Sequence, residues 1–395
     1  MITTSPDHCN FCGKGRSEVD KLIVANDAGI CNDCITLCAS ILDKEHNEEI
    51  RQDQKASRAL DPVRIKEYLD LYIIGQTAAK IAISVGVVNH YKRIFFESSV
   101  ELDKSNILLF GPTGSGKTLM AKTIARYLNV PFVVADATTL TEAGYVGNDV
   151  ESIVASLLSA ANGDVARCEK GIIFLDEVDK IARKSEGASV TRDVSGEGVQ
   201  QALLKLVEGT RCKVSMDGDK TQIEVDTSKI LFIAAGAFSG LDKIVQGRQR
   251  GSSMGFTNSN DTSKLDQTQV TPDDFVQFGM IPEFTGRFPI AVSIDELTQA
   301  DFARILKEPK NNLLAQMQFY FESDGVELTF TPGAITAVAE LAFNQHTGAR
   351  GLKSILERTL MPYMYALSEI KQQGIKRIEI TEQVVLFNEP PVFVE

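Results

Sequence analysis

At 395 residues the chain is too long for one small core and points to two or three domains. Apolar residues make up 43% and charged residues 24%, as in ordinary globular proteins, and no apolar run is long enough to span a bilayer. The formal charge of 41 − 53 = −12 argues against a nucleic-acid binder, which needs a basic footprint.

The opening stretch, Met1 to Asp7, has neither the basic nor the apolar region of a signal peptide, so the expected compartment is the cytoplasm, with no membrane partner. Four of the seven cysteines follow as Cys9-x-x-Cys12 and Cys31-x-x-Cys34, a spacing that suits a four-thiolate Zn²⁺ site. Residues 1–42 are too few to build a core of their own, so the metal would supply the folding free energy. A redox-active CxxC is the rival reading, and His8 or Cys38 stands near enough to replace a ligand. Cys168 and Cys212 read as ordinary small residues. The polar segment 43–60 reads as a linker.

From about residue 61 apolar runs alternate with helical stretches. The strand candidates are Asn106–Phe110, Pro131–Ala135, Gly171–Leu175, Lys229–Ala235 and Pro289–Ser293. Unbroken apolar strands of this kind imply an α/β fold with a parallel sheet covered on both faces. This reading gives a large domain over 61–294 and a mainly helical domain over 295–395. Residues 247–271, rich in Gly, Ser, Asn, Asp and Gln, read as a long loop.

Gly111-Pro112-Thr113-Gly114-Ser115-Gly116-Lys117-Thr118, followed by Leu119, has the P-loop spacing between a strand and a helix. Its backbone N–H groups can cradle the phosphates of ATP, Lys117 can reach the β- and γ-phosphates, and Thr118 can ligate Mg²⁺. The apolar strand ending in Asp176-Glu177 adds carboxylates at the sheet rim. Asp176 suits the Mg²⁺ shell and Glu177 the polarisation of an attacking water, which favours an ATPase over a kinase.

Three longer stretches, Thr191–Lys205, Gly279–Arg287 and Gly348–Leu352, resemble signatures of the ClpX family of AAA+ unfoldases, over nearly the whole chain. The resemblance implies an AAA+ sheet domain, a helical lid, an N-terminal zinc domain that contacts substrates and adaptors, and a homo-hexameric ring. Such a ring threads unfolded or tagged proteins through a central pore into the protease ClpP. It further implies that Arg287 is an arginine finger reaching the neighbouring subunit's ATP, and that Arg350 is a lid sensor. Each arginine could instead make only a surface ion pair. Tyr72-Ile73-Ile74-Gly75-Gln76 resembles the adenine-packing segment, although Ile73 and Ile74 also suit a core. Gly144-Tyr145-Val146-Gly147 resembles the pore loop, Tyr145 being otherwise a core aromatic, and Ser189–Arg192 would sit at a second pore loop. Met254-Gly255-Phe256 resembles the Ile-Gly-Phe loop that docks ClpP.

Two departures stand out. The stretch Glu208–Gln222 lacks the family's Arg-Lys-His tripeptide, which leaves tag preference open. Ala234-Ala235-Gly236-Ala237 offers no polar sensor after the fourth strand. The leading reading is an ATP-driven unfoldase partnered with ClpP. The alternatives are a protease-independent remodeller and, from another class, a nucleic-acid-directed ATPase.

Overall fold

In the computed structural model the five apolar runs pair as one parallel sheet, in the spatial order Ile290–Ser293, Ile107–Phe110, Leu231–Gly236, Ile172–Asp176, Phe132–Asp136. The structure describes residues 7–25, 28–38, 60–96, 98–141, 148–183, 196–215, 222–252 and 270–395. The expected pore loops around Tyr145 and Val146 and around Ser189–Arg192, and the Met254-Gly255-Phe256 motif, lie outside these residues. The chain divides into two compact units, Met1–Asp61 and Pro62–Glu395.

Every residue of the P-loop strand Ile107–Phe110 and of strand Leu231–Gly236 is buried. That is why these runs are apolar without alternation: helices cover both faces of the sheet. The long helix Thr77–Phe95 lies close against it. A side chain at Gly86 would meet Ile290 Cδ1 at 2.9 Å, so glycine there sets the helix–sheet distance. The fourth strand begins at Leu231, later than the composition suggests. Asp226 accepts a hydrogen bond from Ser228 N at 2.9 Å and winds Thr227–Lys229 into one helical turn.

That turn follows a hairpin, Arg211–Ser215 paired antiparallel with Gln222–Asp226. Three cationic or polar side chains hold the carbonyls of the turn. Lys104 Nζ donates to Thr227 O at 2.9 Å, Arg93 donates to Ser228 O at 2.6 Å, and His90 Nε2 lies 3.0 Å from Lys229 O.

A second hydrophobic core, distinct from that around the sheet, runs from Leu297 to Val385. It is mainly helical, and it also holds a mixed three-stranded sheet of Glu327–Phe330, Arg377–Ile380 and Val392–Val394. The stretch read as loop from residue 247 proves helical as far as Ser252, in helix Leu241–Ser252. Leu241 and Val245 bury one face, and Arg248 makes a bidentate pair with Asp274 at 2.9 Å. Tertiary contacts thus override a glycine-rich composition. Among the described residues no helix is long and apolar enough to cross a membrane.

Candidate functional site: a P-loop under a lid

All five strands run parallel, so their carboxyl ends share one edge of the sheet. The P-loop leaves Phe110 at that edge and enters helix Lys117–Leu128. Gly111, Gly114 and Gly116 have φ of +139°, +75° and +98°, which only glycine adopts easily. They turn the loop's amides toward the helix N-terminus, where phosphate is favoured. The space beside the Gly116 Cα is open to 4 Å, so the cradle has room for an anion.

Lys117 is buried and donates to Gly111 O at 2.6 Å and Pro112 O at 2.8 Å. Burial pushes its ammonium below the usual lysine range. Asp176 and Asp179 pull it back up, and Arg350 adds to the lowering. Asp176, Asp179 and the lid arginine therefore all act on the same cation. Ser115 Oγ donates to Pro112 O at 2.7 Å and stiffens the loop. Pro112, Thr113 and Leu119 are exposed along the rim.

Thr118 Oγ1 lies 3.3 Å from Asp176 Oδ2. A hydroxyl and a carboxylate meeting beside the cradle are the oxygen donors Mg²⁺ takes. Glu177 follows in a left-handed conformation, φ +57°, with its N–H donating to Asp176 Oδ1 at 3.0 Å. This strained turn leaves Glu177 exposed.

The lid closes on the loop backbone to backbone. A methyl built on Gly114 would sit 2.8 Å from Gly348 Cα, and one on Gly348 would sit 2.7 Å from Gly114 Cα. Ala349 N donates to Gly114 O at 3.2 Å. Arg350 begins the next helix, Arg350–Tyr365, and is exposed. Ile73 and Ile74 are buried. Beside them Gln76 exchanges two 2.8 Å hydrogen bonds with the backbone of Asp295, between the two cores.

Arg287 lies elsewhere. It precedes strand Ile290–Ser293, and its carbonyl accepts from Asn106 Nδ2 at 2.9 Å. It therefore sits at the amino edge of the sheet. Its half-exposed guanidinium pairs with Glu208 at 2.8–2.9 Å. The P-loop strand separates it from its own cradle by four residues, about 13 Å at ~3.3 Å per residue.

Gly348, which faces the P-loop, Gln200 and Glu208 lie in stretches quoted above but carry no role of their own there, and Asp179 falls outside every motif. Gln200 left a signal: it is a polar residue on the apolar stripe formed by Val199, Leu203, Leu206 and Val207. Gly236, at the missing sensor position, packs against Asp179, whose Oδ1 would lie 2.7 Å from an added methyl.

In the N-terminal unit the sulfurs of Cys9, Cys12, Cys31 and Cys34 all lie within 4.8 Å of one another. Contacts of 3.9 Å (Cys9–Cys34) and 3.7 Å (Cys12–Cys31) cross between the two knuckles. A tetrahedron with Zn–S of ~2.3 Å places its sulfurs roughly 3.8 Å apart, so the cluster fits zinc. Hairpin Leu22–Ala25/Ala28–Cys31 delivers the third ligand, and Asn10 ties the first knuckle to it through a 2.7 Å bond from Gly29 N. Burial raises the Cys9 thiol, but backbone N–H groups of Cys12, Cys31 and Phe11 more than reverse this and hold it at about 6. Burial pushes Cys34 well above the usual thiol range. Neither His8 nor Cys38 joins the cluster among the described residues, and one four-sulfur cluster disfavours two separate redox pairs.

The parallel sheet, P-loop, the Walker B acids Asp176 and Glu177 at the end of strand Ile172–Asp176, and the helical lid define a AAA+ ATPase. Family models agree: an AAA domain of the Cdc48 subfamily matches 102–291, the C-terminal D2-small domain of ClpB matches 297–380, and a ClpX C4-type zinc finger matches 7–44. The chain is 49% identical to the ATP-dependent Clp protease ATP-binding subunit ClpX of Treponema denticola, over 95% of this chain and 93% of that one. The proteins of the same description from Borrelia duttonii and Borrelia recurrentis are each 48% identical, over 96% of this chain and 90% of theirs. The chain belongs to the ClpX family. It is an ATP-hydrolysing enzyme that uses Mg²⁺ and carries structural zinc.

Proposed function

We propose that this chain works as a homo-hexameric protein unfoldase that feeds unfolded or tagged substrates to ClpP. The observation that carries the reading is the split site. The P-loop, Asp176 and Glu177 share the carboxyl edge, while Arg287 is exposed on the amino edge. A site whose cationic finger faces away from it is completed by another copy of the chain.

When bound, Mg·ATP supplies the phosphoryl group to be transferred and the metal charge that offsets its oxygens. Lys117, Thr118 and Asp176 hold it, Ile73 and Ile74 flank the base, and Glu177 orients water. Arg350 senses the phosphate from the lid, and a neighbour's Arg287 stabilises developing charge. Segments 1–42, 43–60, 61–294 and 295–395 then serve as zinc module, tether, motor and lid. Tyr145 and Val146 grip the substrate chain, and Met254, Gly255 and Phe256 anchor ClpP, an aromatic in a polar segment being a suitable hot spot.

The test is ATP-dependent degradation of a tagged, stably folded protein with and without ClpP. Degradation only with ClpP and ATP is expected. Unfolding without any association with ClpP would favour the protease-independent remodeller.

A further inference from the structure

Helix Glu197–Glu208 runs between the two halves of the split site. Its 12 residues span about 18 Å, enough to cross the sheet from edge to edge. Near its start Glu197 pairs with Arg183, just past the turn Val178–Ile181 that follows Glu177. At its last residue Glu208 holds the guanidinium of Arg287.

Between these contacts Gln200 is fully buried. An amide in an apolar interior is costly unless both ends are bonded, and both are. Its Nε2 donates to Ile181 O at 2.7 Å, and its Oε1 accepts from Ile281 N at 2.9 Å. Ile181 ends the turn that starts at Glu177. Ile281 caps the five-residue helix Pro282–Gly286, and Arg287 caps its other end. Pro282 has no N–H to offer, and it is the Ile281 amide that makes the tie at that helix start. The same joint carries a second tie, Arg183 N donating to Gly279 O at 2.9 Å. A cleft of about 400 Å³ beside it, lined by Arg183, Glu197, Leu204, Ile281 and Glu283, gives the joint room to shift.

We propose that Gln200 is a positioning residue that sets Arg287, so that a subunit's own Walker B turn governs how it presents its finger to the next subunit. The proposal rests on the reading that Arg287 acts in trans. A finger displaced by about 1 Å loses up to ~100-fold in rate, so a single amide at the root of a short helix is enough to matter.

The test uses the full-length chain. Gln200→Met keeps length and volume while removing both hydrogen bonds. Nucleotide affinity is expected to stay within about twofold while ATPase falls at least ~10-fold. Three mixtures of inactive subunits then decide the cause. Arg287→Ala with Glu177→Gln is the reference, and regains activity if fingers act in trans. Gln200→Met with Glu177→Gln is expected to regain a similar fraction, because intact fingers come from the partner. Gln200→Met with Arg287→Ala is expected to stay inactive, both fingers being defective. If the reference recovers but the Gln200→Met mixture with Glu177→Gln does not, or if Gln200→Met rescues Arg287→Ala, the proposal is overturned and the trans reading stands. If the reference itself stays inactive, the trans reading falls and the proposal falls with it.

Should Gln200→Met not fold, Gln200→Glu takes its place. Its carboxyl keeps the acceptor for Ile281 N and offers a donor to Ile181 O only when protonated. Its activity relative to the unmutated chain should therefore rise as pH falls, and a flat ratio would overturn the proposal.

Discussion

Gly348→Ala is the sharpest probe of lid closure. The new methyl would lie 2.7 Å from both Gly114 Cα and Thr113 O, against 3.4 Å for ordinary contact, so 3.4 − 2.7 = 0.7 Å must be relieved. All the opposing atoms are backbone and cannot rotate away, so the lid must lift off the P-loop, carrying Arg350 with it. An L residue at φ +65° adds a separate penalty of about 1–2 kcal/mol. Gly374→Ala isolates that penalty. Gly374 also lies in the lid domain, at φ +81°, with nothing within 4 Å of an added methyl. Gly348→Ala should therefore lose at least as much thermal stability as Gly374→Ala. Since a 1 Å misplacement can cost ~100-fold, Gly348→Ala should lose about 10- to 100-fold in kcat while Gly374→Ala stays near the unmutated rate. Steady-state ATPase with thermal melts of both proteins makes the comparison. Equal kcat in the two variants would refute the idea that lid–loop contact, rather than backbone strain, is what matters.

Glu177→Gln should retain ATP binding and abolish turnover, and Lys117→Ala should weaken binding itself; nucleotide titration beside ATPase separates the two. Cys12→Ser should lower zinc from about one per chain toward zero by elemental analysis, and leave ATPase intact. Because thiolates are the ligands, the unmutated chain should release zinc as pH falls. His90 is buried, next to Arg93 and Lys104, and its pKa is depressed from 6.5 to about 3. Below 6.5 the unfolded chain takes up a proton that the folded chain refuses, so stability falls as pH drops from 6.5 toward 3, by up to about 1.4 kcal/mol per pH unit. Denaturant melts across that window should show a shallower slope in His90→Gln. Phe256→Ala should abolish ClpP-dependent degradation and spare ATPase, and unimpaired degradation would remove Phe256 from the docking role.

The parts of the site that were legible in sequence are those whose chemistry is contiguous. Gly111–Thr118 and Asp176-Glu177 each carry their neighbours with them, and two CxxC knuckles need only close to form a tetrahedron. What escaped was long-range. Nothing near Gly348 says that Gly114 lies opposite it, because the two meet only when a second core folds over the first. Gln76 and Asp295, 219 positions apart, form their two-way bond for the same reason. Helix Leu241–Ser252 was hidden by Gly247 and Gly251, whose helical cost is met by the burial of Leu241 and Val245 and the Arg248–Asp274 pair. Strand Leu231–Gly236 was misjudged at its start because an Asp226 cap competes locally with strand extension.

The turn Thr227–Lys229 that leaves the hairpin Arg211–Ser215/Gln222–Asp226 is held by Lys104, Arg93 and His90 at the amino edge of the sheet, the edge away from the phosphates. None of these three side chains belongs to the phosphate cradle at Gly111–Thr118. Exposed positions on the hairpin strands, such as Lys213 and Glu224, can therefore change charge without touching the groups that form the phosphate cradle. Surface charge at this edge and phosphate handling at the opposite edge are thus free to vary separately.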